Sequence, residues 1–131
     1  MKKVYICPHC DAVLNPSVKI LLTIGCRKNR GLILLSPQPG NFKFICDEKI
    51  EDCLKTGEAV KFSCPVCHED LTSPSNKNFA RLTLVVPGAK NKFVEFSRVY
   101  GQHATFVISE DEVMAFGEDV DNLGKTNFFG A

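Results

Sequence analysis

Two Cys-Pro-x-Cys units, Cys7-Pro8-His9-Cys10 and Cys64-Pro65-Val66-Cys67, stand 57 residues apart in a chain of 131. Their surroundings repeat with them. Tyr5 and Phe62 each precede the first Cys of a unit by two residues, and Leu14 and Leu71 each follow the second by four. The physical reading is specific. A strand delivers the first thiol, and a tight turn brings the second to the same side. Proline after the first Cys presets φ for that turn and removes a donor. Two such turns facing each other offer four sulfurs in the tetrahedral arrangement that a zinc ion accepts. Cys7, Cys10, Cys64 and Cys67 are therefore the candidate metal ligands.

Residues 4 to 14 and 61 to 71 resemble the zinc-ribbon family, whose knuckles read Cys-Pro-x-Cys followed by a turn and a strand. The resemblance implies a β-rich fold with one structural zinc per chain. Family knuckles often carry Gly after the second Cys, to supply a positive φ. Here the residues are Asp11 and His68, both types that tolerate that region. The spacing departs further: 53 residues separate the units, against about 15–20 in the compact pattern. The intervening chain must be an insertion with structure of its own.

Other chemistries use similar motifs. Cys-Pro-His-Cys also resembles the active site of DsbA-like thiol oxidoreductases, where the first Cys caps a helix. Pro16 would interrupt such a helix within its second turn, and the surrounding βαβ pattern is missing. Rubredoxin-like iron takes the same four sulfurs, and spacing does not separate it from zinc. A catalytic zinc keeps an open position, whereas four thiolates fill the shell. The sequence thus predicts a structural site rather than an enzyme. The P-loop-like Leu123-Gly124-Lys125-Thr126 lacks its first Gly, and the calcium-loop-like run from Asp119 lacks its final Glu.

The remaining cysteines are Cys26, Cys46 and Cys53. The count of seven is odd, and Val4-Tyr5-Ile6 is too short for the apolar region of a signal peptide. The expected location is cytoplasmic, where disulfides are rare. Cys53 shares a helical face with Ile50 and Leu54 and reads as core. Cys26 reads as a bystander, and Cys46 as a minor candidate for a further ligand.

Alternation predicts a mainly β fold. Lys19 to Ile24 and Gly31 to Leu35 form a hairpin, Phe42 to Ile45 a third strand, and Asp47 caps a short helix over 47–56. Residues 1–75 thus form a ribbon-like region with an inserted hairpin at 18–45. A turn-rich linker leads to a second antiparallel region, 76–117, with strands over Phe79 to Val86, Lys92 to Phe96 and Ala104 to Ile108. Ser109-x-x-Glu112 is a capping-box pattern and predicts helical turns over Glu110 to Phe116. An acidic tail, 118–131, includes the apolar pair Phe128-Phe129. Three strands with one apolar face need a partner layer, and the first region is expected to supply it.

Net charge is only +1, but it conceals blocks of +6, −4, +4 and −5 over 1–45, 46–75, 76–105 and 106–131. Arg27, Lys28 and Arg30 concentrate positive charge at the expected hairpin tip. They are the candidate nucleic-acid contact; a solvated turn that discourages edge aggregation is the favoured alternative. No apolar run approaches the roughly 20 residues of a spanning helix. The sequence reading is a non-catalytic, zinc-binding interaction module or accessory subunit with a protein partner. Nucleic-acid binding and redox chemistry are the alternatives.

Overall fold

A computed structural model describes residues 3–16 and 18–119. The fold is mainly β, as the alternation predicts. The strands are β1 (Val4–Ile6), β2 (Ile20–Cys26), β3 (Asn29–Leu35), β4 (Phe44–Cys46), β5 (Lys61–Ser63), β6 (Phe79–Val85), β7 (Lys92–Ser97), β8 (Thr105–Ile108) and β9 (Val113–Phe116). One helix, α1 (Glu48–Cys53), lies between β4 and β5. The strands make two antiparallel sheets, ordered β1-β6-β7-β8-β9 and β4-β3-β2-β5.

The insertion supplies most of the second sheet. In β2, Ile20, Leu22, Ile24 and Cys26 are buried while the intervening residues are partly exposed, the period-two pattern of a strand with one covered face. β2 and β3 pair from Ile20↔Leu35 to Cys26↔Asn29, leaving Arg27-Lys28 as a two-residue turn. Arg27 takes φ 56°, a positive φ at the first central position, where such hairpins favour Gly. Asp47 caps α1 as expected, accepting from the Lys49 N–H, but the helix ends at Cys53 rather than continuing to 56.

The first sheet is built from the second half of the chain plus β1. Ala80, Leu82 and Leu84 of β6 face inward and join Leu22, Ile24, Ile33 and Phe62 of the other sheet in one core. The two halves of the sequence therefore bury their apolar faces against each other. On the opposite face of the first sheet, Phe79, Ala104, Phe106 and Ile108 form a smaller cluster.

The helix expected over Glu110 to Phe116 is not formed; Val113–Phe116 is a strand paired with β8. Ser109 Oγ accepts from the Glu112 N–H, as a cap would, but the Ser109 N–H donates to the Glu112 carbonyl. These bonds close a hairpin turn, and the open edge of β8 captures the residues that follow. The expectations for 120–131, including Phe128-Phe129 and the Leu123 to Thr126 motif, lie outside the described residues.

The core is not completely filled. Between the sheets lies a half-open apolar cavity of about 150 Å³, lined by Ile24, Ile33, Leu35, Leu82, Val94 and Phe96 among others. Protein interiors normally leave few voids larger than a water molecule.

Candidate metal centre

Both knuckles hang from one edge of β6. Val4, Tyr5 and Ile6 pair with Val85, Leu84 and Thr83, which fixes the strand that leads into Cys7. Further along the same strand, Thr72 bridges to Ala80, and the Arg81 N–H donates to the Leu71 carbonyl, which fixes the exit of the second knuckle. The second knuckle enters from the other sheet, since β5 pairs with β2.

The repeat in the sequence is a repeat in backbone bonding. The Cys7 N–H donates to the Ala12 carbonyl and the Asp11 N–H to Cys7; the Cys64 N–H donates to Glu69 and the His68 N–H to Cys64. The Leu14 N–H returns to the Tyr5 carbonyl, and the Leu71 N–H to Phe62. Asp11 has φ 61° and His68 φ 64°, so both non-Gly residues take the left-handed conformation expected of them. Leu14, Leu71, Tyr5 and Phe62 are all buried, pinning each knuckle to the core.

These two turns bring the four predicted thiols together. All four Sγ atoms lie within 4.8 Å of one another, a group that can hold a metal ion. Cys7 Sγ is 3.7 Å from Cys67 Sγ, and Cys10 Sγ is 3.7 Å from Cys64 Sγ. A tetrahedral ion with metal–sulfur bonds near ~2.3 Å needs sulfurs about 3.8 Å apart, so the site is preformed for such an ion.

The surroundings favour negative sulfur. The His9 N–H points to Cys7 Sγ, and the N–H groups of Val66 and Cys67 point to Cys64 Sγ. Burial pushes the Cys64 thiol up, but the N–H groups of Cys67 and Val66, with the thiols of Cys7 and Cys10, outweigh it and bring the pKa to about 7. Burial dominates at Cys7 and raises it to about 12. Of the two, Cys64 is the more acidic thiol. A metal ion would replace the thiol protons. One contact was not legible in the sequence: His9 Nε2 lies 3.1 Å from the Asp70 carbonyl and ties the first knuckle to the second.

Cys26 and Cys53 form a disulfide, which corrects their reading as bystander and core residue. Cys26 ends β2 and Cys53 ends α1; packing of the helix beside the hairpin sets their Cα atoms 6.2 Å apart, within the normal span. Cys46 lies outside the four-sulfur group and packs against the core, its thiol raised by burial and then by Glu51 and Asp47. The basic residues are not gathered around the sulfurs. Arg27, Lys28 and Arg30 sit at the β2–β3 turn, where Arg27 pairs with Glu58 at 2.9 Å.

The chain matches no protein-family model, no curated protein and no solved structure. No helix among the described residues is long and apolar enough to cross a membrane.

Proposed function

We propose that this is a zinc-ribbon-like protein whose single zinc ion, held by Cys7, Cys10, Cys64 and Cys67, is structural, and that it acts by binding a protein partner. The cluster carries this reading: four sulfurs within 4.8 Å of one another, two pairs of them at 3.7 Å, would fill a tetrahedral shell and leave no ligand position for a substrate. Such an ion would lock the exit from β1 against the exit from β5, so that both sheets hold a fixed orientation. The alternating N–H···S bonds support thiolate ligation over a dithiol redox pair, since they serve both knuckles alike.

The outer face of the second sheet supports the interaction role. Leu21 pairs with Leu34, Leu34 with Ile45, and Leu32 stands beside Thr23. Leu32 and Ile45 are 55% and 57% exposed. Clustered apolar side chains on one sheet face are a common mark of a contact surface. Arg27, the centre of the basic tip, already spends its guanidinium on Glu58, which weakens the nucleic-acid alternative. The four unpaired cysteines of the cluster fit a cytoplasmic location, whereas the Cys26–Cys53 disulfide is of a kind rare there.

Metal analysis of untagged protein tests the reading. About one zinc per chain, retained through gel filtration, is the expected result. A red, iron-containing protein would replace it with a rubredoxin-like electron carrier. Metal-free protein with a Cys7–Cys10 disulfide would sink it.

A further inference from the structure

The metal cluster accounts for four cysteines but leaves the cavity between the sheets unexplained. Its walls are aliphatic and aromatic, from Ile24 and Ile33 on one sheet to Leu82 and Val94 on the other. Its rim is formed by the segments around Phe42 and His103, whose rings stack with centroids 4.6 Å apart. An adjoining hollow lined by Gly40, Asn41, Phe42, Lys43 and His103 shares four of these residues with the cavity, and marks its mouth.

The rim has a distinct charge. No Asp or Glu lines the cavity or the hollow; the ionisable residues there are Tyr5, Lys43, Arg98, Tyr100 and His103. Tyr5, Arg98 and His103 are engaged in hydrogen bonds, and the Tyr100 ring packs edge-on against Phe44. The Tyr5 hydroxyl donates to the Pro37 carbonyl, and Arg98 donates to the carbonyls of Val60 and Lys77. His103 Nδ1 faces Glu118 Oε1, and its N–H donates to Asp119 Oδ2, so the two acids attached to the rim are both held by His103. The Lys43 ammonium has no ion-pair partner among the described residues, while its own N–H is held by Asn41 Oδ1. Gln102 accepts from Ser97 Oγ through its amide oxygen, which leaves its two amide protons as neutral donors at the same rim.

We propose that the inter-sheet cavity is a binding site for a small amphipathic monocarboxylate, its apolar body between the sheets and its carboxylate at Lys43. The volume suits a body about the size of a benzene ring or a short alkyl chain, as an apolar cavity of similar volume accepts benzene. An apolar pocket with few, convergent polar groups is the usual form of a small-molecule site. Lys43 lines both the cavity and the hollow, and with no Asp or Glu in either lining a carboxylate head is favoured over an ammonium. A ligand that binds the fold and not the unfolded chain would also stabilise the fold by linkage. This inference does not depend on the metal.

Three probes with one body and different heads test it: phenylpropionate, phenylpropanol and phenylpropylamine, titrated into the full chain by heteronuclear NMR. The expected result is saturable binding in the order acid, alcohol, amine, with shift changes at the lining residues. Lys43→Met should weaken the acid about fivefold, as one partly exposed ion pair contributes, and leave the alcohol unchanged. Val94→Phe, which fills the cavity, should abolish binding of all three. Leu35→Phe, at a less buried lining position, provides the same test if Val94→Phe does not fold. No saturable binding of any probe, equal affinity for acid and amine, an unaffected acid in Lys43→Met, or binding that survives in a folded filling variant would each overturn the proposal.

Discussion

Cys7 Sγ stands 3.7 Å from Cys67 Sγ although the two residues are 60 positions apart. The pair joins the strand entering the first knuckle to the end of the second, so a metal ion there would act as a cross-link between the sheets. Free energy of metal binding would then be folding free energy, up to ~10–16 kcal/mol in domains that have little else. Here the two-sheet core persists beside the cluster, so a smaller share depends on metal. Removing it with a chelator should lower the melting temperature by at least ~10 °C while the far-ultraviolet β signal survives, given that 1 kcal/mol shifts a small domain by about 4–8 °C. Cys7→Ser and Cys64→Ser, at buried positions, should release metal more readily than Cys10→Ser, whose site water can reach. A chelator assay with a chromogenic indicator reads the order directly.

The Cys26–Cys53 bond closes a loop of 27 residues. Chain-entropy reasoning assigns such a cross-link about 3.5 kcal/mol of stability. Reduction, or the paired change Cys26→Ala and Cys53→Ala, should lower the urea midpoint by a corresponding amount without loss of metal. Urea titration with and without reductant, on metal-saturated protein, separates the two cross-links. An unchanged midpoint would mean that α1 is held by Ile50 and its neighbours alone.

Local features of the sequence carried furthest. The knuckles could be read down to the positive φ of Asp11 and His68, because a tight turn is fixed by the few residues within it. The β2–β3 hairpin was legible from alternation and the turn-like run Cys26 to Gly31, but the strands run further than expected and leave only Arg27-Lys28 as the turn. Features settled by distant partners were not. The bond from the Glu112 N–H to Ser109 Oγ serves a helix cap or a hairpin equally, and the edge of β8 decided between them. Cys53 shares a helical face with Ile50, but its partner is on a hairpin that only tertiary packing brings near. Val4-Tyr5-Ile6 carries no mark of its pairing with Thr83 to Val85.

Glu95 is 0% exposed, and Oε2 alone accepts from Ser73 Oγ at 2.8 Å and from Arg81 Nε at 2.6 Å. Oε1 has no hydrogen-bond partner among the described residues. The carboxylate therefore leans on Arg81, which also lies over the Phe93 ring at 4.5 Å. Arg81→Met should cost about 3–5 kcal/mol, because it leaves a buried charge without compensation. Adding Glu95→Leu to that variant should restore most of the loss. Chemical denaturation of the two variants and the pair gives the coupling, and a loss below ~1 kcal/mol for Arg81→Met alone would show that the ion pair is not what holds Glu95.

Tyr5 supplies a test at alkaline pH. Burial holds its phenol above the ordinary value of 10.0, and its hydroxyl donates to the Pro37 carbonyl at 2.6 Å. In the unfolded chain the phenol ionises near ~10, whereas in the fold it keeps its proton to higher pH. Between those two values the folded state binds more protons than the unfolded state, so stability must fall as pH rises. The contribution is complete below pH ~10 and is lost on passing upward through the folded value. Tyr5→Phe should cost about 1 kcal/mol near neutrality through the lost hydrogen bond, and should flatten the decline above pH ~10. Comparison of thermal unfolding in the two proteins from neutrality into the alkaline range checks both parts, and parallel curves at high pH would assign the decline to other groups.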